Sequence, residues 1–94
     1  MDAIAVARAK EVRDDGSIVE IVIWELQGPL PPSTHRYKYR LYFGASGVSR
    51  VRYDNERGKG DHRHIGSEEF EYAFASLEKL LEDFKADVEL WEQS

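Results

Sequence analysis

Polar and apolar positions alternate with a period of two along most of this chain, and the period changes to 3.6 only near its end. Residues 3–13 and 17–26 read as two strands joined at Asp14-Asp15-Gly16-Ser17, an Asp-Gly turn between β-prone runs, so they predict a hairpin. In the first run Ala3, Ala5, Ala7 and Ala9 alternate with Ile4, Val6, Arg8 and Lys10, giving a small-residue face that permits close approach of a helix. The second run, Ser17 to Leu26, is β-branched and apolar on both sides over most of its length and reads as a central strand covered on both faces. Three prolines between Gln27 and Thr34 remove backbone donors and push their neighbours to extended conformations, so this segment is expected as a loop or short polyproline stretch crossing the sheet.

A second hairpin follows. Tyr37, Tyr39, Leu41 and Phe43 alternate with Lys38, Arg40 and Tyr42, while Val51 and Tyr53 alternate with Val48, Arg50 and Arg52. If Gly44 pairs with Val48, the loop is Ala45-Ser46-Gly47, a three-residue turn that ends on the glycine its positive φ favours. That register sets Leu41 opposite Val51 and Tyr39 opposite Tyr53 on one face, and Arg40 opposite Arg52 and Tyr42 opposite Arg50 on the other. The outer face is then basic and aromatic. The strand is expected to run out near Tyr53 or Asp54, with Asp61 to Ile65 resuming as an extended segment in which His62 and His64 share a face. After a turn at Gly66 to Glu69, Phe70, Tyr72 and Phe74 alternate with polar residues as a short edge strand. Leu77, Leu80, Leu81, Phe84, Val88 and Trp91 then form a helical apolar stripe, with Ser76 as its N-cap. The predicted architecture is a single α+β domain over residues 1–94: a curved antiparallel meander of four to five strands, with one C-terminal helix from Ser76 to about Glu92 packed on one face.

Composition sharpens this picture in two places. The 94 residues contain no cysteine, which excludes a thiolate nucleophile, a disulfide or Cys-ligated zinc and fits a reducing cytoplasm. The longest apolar run, Ile21 to Trp24, is far short of the roughly 20 residues a membrane helix needs, so a cytoplasmic protein without a membrane span is expected. The net charge of −5 is unevenly spread. Residues 1–34 hold three bases against six acids, residues 35–66 hold eight against three, and residues 67–94 hold two against nine. The middle third is a basic island in an acidic chain.

Inside that island, Tyr53 to Ile65 reads Y-D-N-E-R-G-K-G-D-H-R-H-I, and only its two ends can pack a core. Four readings fit its residue types. His62 and His64 with a nearby carboxylate could hold a divalent metal ion. The same two imidazoles could act as acid and base in metal-independent phosphoryl transfer on RNA, while Arg40, Arg50 and Arg52 cradle phosphates and Tyr42 stacks a base. Arg57, Lys59 and the backbone N–H groups around Gly58 and Gly60 could form an anion nest without chemistry, although no Walker pattern is present. Finally, Asp54 and Asn55 could cap a turn while the histidines and arginines pair with neighbouring acids.

The same stretch, followed by acids, an aromatic-x-Phe and Ser76-Leu-Glu-Lys-Leu-Leu-Glu-Asp-Phe84, closely resembles the TumE family. The resemblance extends upstream through Gly16-Ser-Ile-Val-Glu20 and Pro31-Pro-Ser-Thr-His-Arg-Tyr-Lys-Tyr-Arg40, and so covers most of the chain. These small bacterial proteins, formerly a domain of unknown function, are toxins of toxin–antitoxin pairs. The resemblance implies a growth inhibitor neutralised by a cognate helix-turn-helix antitoxin, and it brings no catalytic residues with it. The expected strand order also departs from RelE-like ribonuclease toxins, whose helices precede most of the sheet.

The function expected is thus a toxin acting on RNA as a ribonuclease without metal or cofactor. His62 and His64 serve as acid and base with Asp54 and Glu56 beside them, Arg57, Lys59 and Arg63 contact phosphate, and Arg40, Arg50, Arg52 and Tyr42 form the binding surface. The alternative is a non-catalytic module whose basic hairpin and Tyr53–Ile65 stretch bind an antitoxin or nucleic acid; self-association is open under both. The deciding geometry is whether His62 and His64 face the same side of the sheet as the arginines or turn inward against the helix.

Overall fold

Each strand pairs with its neighbours in sequence, so the chain folds as an open antiparallel meander in the order β1-β2-β3-β4-β5-β6. The computed structural model describes residues 3–93. Its strands are β1 (Ile4–Val12), β2 (Ser17–Glu25), β3 (Tyr37–Ala45), β4 (Val48–Glu56), β5 (Gly60–Ile65) and β6 (Glu68–Glu71), and the helix α1 (Leu77–Glu92) follows them. The expected α+β class and meander hold, with six strands instead of four to five because both segments after Tyr53 pair into the sheet. No helix among the described residues is long and apolar enough to cross a membrane.

The core forms where one sheet face meets the helix. Ile23, Tyr39, Leu41, Phe43, Val51 and Tyr53 pack against Leu80, Phe84 and Val88. Cross-strand pairing makes this possible: Ile21, Leu41, Tyr53, Arg63 and Phe70 form one row across β2 to β6, and Val19, Phe43, Val51 and Ile65 another across β2 to β5. Burying a large apolar side chain contributes about 1.5–3 kcal/mol, so these rows and the helix stripe supply most of what holds the sheet to the helix. Ser76 caps α1 as its residue type predicts, its Oγ accepting from the Lys79 N–H at 3.0 Å.

Several local expectations give way to packing. β2 is not covered on both faces: only Ser17 and Ile23 are buried along it, and β3 and β4 carry the centre of the core. A single helix about 10 Å wide cannot cover two faces, so the apolar residues Ile18, Val22 and Trp24 stay half-exposed on the far side. In β1 a bulge between Ala5 and Ala7 splits the alanine face, and α1 makes its closest approach at β4, away from those alanines. The proline segment spans one end of the sheet as a loop: the Leu26 N–H bonds to the Arg36 carbonyl where β2 meets β3, the Pro31 carbonyl accepts from the Gly58 N–H of the β4–β5 turn at 2.9 Å, and Ser33 reaches Asp61 on β5.

The second hairpin has a different register from the one its loop glycine predicts. Ala45 pairs with Val48, so the turn has two residues, Ser46 and Gly47, both at positive φ (53° and 75°). Gly44 then faces Ser49 and Phe43 faces Val51, which leaves Arg50 as an extra residue in a bulge. Arg40 lies opposite Asp54 and Tyr42 opposite Arg52. Beyond the bulge the pairing is thus offset by two positions from expectation, which keeps Arg40, Leu41, Tyr42, Arg52 and Tyr53 on their expected faces, while the one-position offset on the turn side of the bulge displaces Arg50.

β4 also runs further than expected, to Glu56, because Asn55 extends its grip on β3. Fully buried, Asn55 accepts from the Tyr39 N–H through Oδ1 at 2.9 Å and donates from Nδ2 to the Tyr37 carbonyl at 2.6 Å. It substitutes for backbone pairing where the ladder ends, which corrects its reading as a turn cap. Replacing Asn55 by Ala strands a buried donor and a buried acceptor, so the variant should lose roughly 2–4 kcal/mol of stability by urea denaturation.

Candidate functional site

Because strands expose alternate residues on opposite faces, the register that builds the core also dictates what lies on the other side. Two rows run across that open face. Lys10, Glu20, Tyr42, Arg52, His64 and Glu69 are successive cross-strand partners from β1 to β6. Beside them Arg8, Val22, Arg40, Asp54, His62 and Glu71 form the second row. His62 and His64 therefore share a face with Arg40, Arg52, Tyr42 and Asp54.

At the centre of this face Arg52, Asp54 and His64 engage one another. Arg52 Nη2 lies 3.0 Å from His64 Nε2. A guanidinium can only donate, so Nε2 accepts and the neutral ring carries its proton on Nδ1. Arg52 Nε stands 3.0 Å from Asp54 Oδ2, and Asp54 Oδ1 is 3.8 Å from His64 Nε2. The Nε contact is a charge pairing out of hydrogen-bond alignment, which leaves Nε without a hydrogen-bond partner among the described residues. His62 Nε2 sits 3.6 Å from Glu69 Oε2, close enough for charge attraction but too long for a hydrogen bond. Both imidazoles retain about a fifth of their surface, enough for a ligand to reach them. Arg40 pairs loosely with Glu20 at 3.6 Å and lies 5.0 Å over the Tyr42 ring. Tyr42 in turn folds across Gly44, where any Cβ would collide with its hydroxyl and with the Val48 carbonyl.

The remaining expected site residues lie elsewhere. The bulge carries Arg50 off the ladder, and its guanidinium sits 5.5 Å from the centre of the core ring Phe43. Arg63 is on the helix side, donating to Asp87 through Nε at 2.7 Å and Nη2 at 3.2 Å. That bidentate pair holds the guanidinium charged even more firmly than usual against the opposing effect of burial. Tyr53 donates to the same carboxylate, so Asp87 ties β4 and β5 to the helix. Arg57 and Lys59 are exposed at the β4–β5 turn beside the exposed Glu56. The N–H groups an anion nest would use there are committed, Gly58 to Pro31 and Lys59 to Glu56.

Asp61, close to the histidines in sequence, is on the opposite face and nearly buried. Its carboxylate accepts from Ser33 Oγ, from the Tyr39 hydroxyl at 2.7 Å and from His35 Nε2 at 2.7 Å. The Tyr37 N–H donates to His35 Nδ1, which fixes the ring as the Nε2–H tautomer. Phe74 stacks on that ring with centroids 3.8 Å apart. Burial, then the bond to Asp61, pushes the Tyr39 hydroxyl far above its ordinary range, and burial with Asp87 does the same for Tyr53. Both phenols stay protonated as hydrogen-bond donors, and the bonds to Asp61 make this cluster a clamp between the proline loop, β3 and β5. Sequence reasoning had no signal for it, since Ser33, His35 and Asp61 are brought together only by the loop's path. Trp24 and Lys38, direct partners on the open face, were also missed, and for Lys38 a signal existed: it alternates in phase with Arg40 and Tyr42 along one strand.

A family model described as Toxin TumE matches residues 2–92. No curated protein and no solved structure matches the chain.

Two outcomes follow from the bonding. Asp61→Asn leaves an amide group facing donors, so stability should fall by roughly 2–4 kcal/mol in denaturant melts, with Asp61→Ala at least as damaging. Long-range proton–nitrogen NMR should find neutral His64 protonated on Nδ1, and Arg52→Ala should abolish that preference.

Proposed function

The chain belongs to the TumE toxin family, the toxin half of a toxin–antitoxin pair, and from that premise we propose that it acts on RNA as a metal-independent ribonuclease in the cytoplasm. The observation that carries this reading is the pair of rows that sets two imidazoles beside Arg40, Arg52 and Tyr42 on an open sheet face. A guanidinium beside His64 Nε2 competes with any metal ion for that lone pair, which favours proton transfer over metal chemistry. A substrate phosphate that takes Arg52 releases Nε2, and His64 then removes the 2′-OH proton. The 2′-oxygen attacks the adjacent phosphorus while the bond to the 5′-oxygen breaks, and His62 protonates the leaving oxygen. Arg52 and Arg40 bear the charge that develops on phosphate. A cognate helix-turn-helix antitoxin is the proposed neutralising partner.

One observation favours a non-catalytic binding module instead: Arg52 is engaged by both Asp54 and His64, as a member of a structural network is. The two readings separate in one experiment. His62→Ala and His64→Ala should each lower RNA cleavage by about 10²- to 10⁴-fold and relieve growth inhibition, with folding and antitoxin binding intact. Full toxicity in both variants would remove the acid–base assignment and leave the binding module, whose partner affinity should then drop on Arg40→Glu or Arg52→Glu.

A further inference from the structure

The open face has a second half that shares only Arg40 with the histidine site. On β1 to β3 it presents Arg8, Lys10, Lys38 and Arg40 against one carboxylate, Glu20, in a chain whose net charge is −5. Two shallow depressions of about 270 and 260 Å³ lie on this half. The second is lined by Val22, Trp24, Lys38 and Arg40, with the buried Tyr39 beneath. Trp24 lies directly opposite Lys38 in the ladder and keeps part of its surface exposed, so its ring is open to a stacking partner. The Lys38 ammonium is held at the Asn55 carbonyl, 2.9 Å away, which positions it across β4 toward the histidine half.

We infer that the Trp24 depression is a nucleobase subsite for single-stranded RNA, in which the indole stacks a base while Lys38 and Arg40 hold its flanking phosphates. The inference deepens the ribonuclease reading and rests on it. Aromatic faces ringed by cations on an open sheet are how single strands are bound without demand for sequence, since every base offers a π-face and each backbone unit a charge. The three strand spacings between β2 and β5 place Trp24 about 14 Å from the histidine strand. A stacked base there would therefore fix the register of a strand about 14 Å away from the phosphate at His62 and His64, without touching the reacting atoms. Duplex RNA, whose bases are stacked internally, cannot use it.

The test reads binding apart from cleavage, using a 2′-O-methylated single-stranded decamer that lacks the attacking hydroxyl. The chain has two tryptophans, so a Trp91→Phe background leaves Trp24 as the reporter. Titration should quench Trp24 fluorescence saturably. Trp24→Ala should weaken binding about ten-fold or more, and Trp24→Phe should restore much of it. Lys38→Gln should reduce affinity and flatten its salt dependence. Binding that is unchanged in Trp24→Ala and leaves Trp24 emission unaltered would overturn the subsite while keeping the RNA reading. A parent protein that binds no decamer would overturn both. If Trp24→Ala fails to fold, the quenching and the Phe variant decide.

Discussion

Everything in this protein depends on the two-residue period of a sheet whose strands are all held in antiparallel register. One helix of 16 residues can bury only one face of six strands. The alternation therefore divides the chain's chemistry in two. Leu41, Phe43, Val51 and Tyr53 go to the helix, and the residues between them, Tyr42, Arg52 and Asp54, are committed to the open side. No separate device is needed to collect the functional groups: what the core rejects on adjacent strands is collected by the same hydrogen-bond ladder.

Polar groups on the helix side are accordingly treated as structure. Asp61 gathers Ser33, His35 and Tyr39, and Asp87 gathers Arg63 and Tyr53. Each buried carboxylate accepts from several donors, which compensates the loss of water around a charge. Asn55 does the same for stranded backbone groups of β3. Asp61 and Asp87 fasten β5, which carries His62 and His64, to the loop and the helix, while Asn55 fastens the neighbouring β4 to β3. The open face thereby gains a rigid support although nothing covers it.

On that support, the two imidazoles have different neighbours. His64 receives a hydrogen bond from Arg52 and has Asp54 3.8 Å away, while His62 lies 3.6 Å from Glu69. The basic half of the face, around Trp24 and Arg40, lies beside this pair and continues the same surface.

Alternation and turn chemistry were enough, read from the chain alone, to yield the β-rich meander, the Ser76-capped helix and the sharing of one face by Arg40, Tyr42 and Arg52, because these depend on local period. The hairpin offset did no harm for the same reason, since a shift of two preserves sides. Whether His62 and His64 faced the helix or the open side was a property of strand pairing, and only the continuation of β4 through Asn55 and its register with β5 decided it. Arg50 and Arg63 separated from the other cations for tertiary reasons, a bulge in one case and the carboxylate of a distant helix in the other. The Asp61 clamp was invisible beforehand because its members come from a loop, a central strand and a third strand, and no local pattern encodes their meeting. Sequence determined which residues alternate together; the tertiary structure decided which face water would keep, because only the seating of one helix on one side makes the two faces unequal.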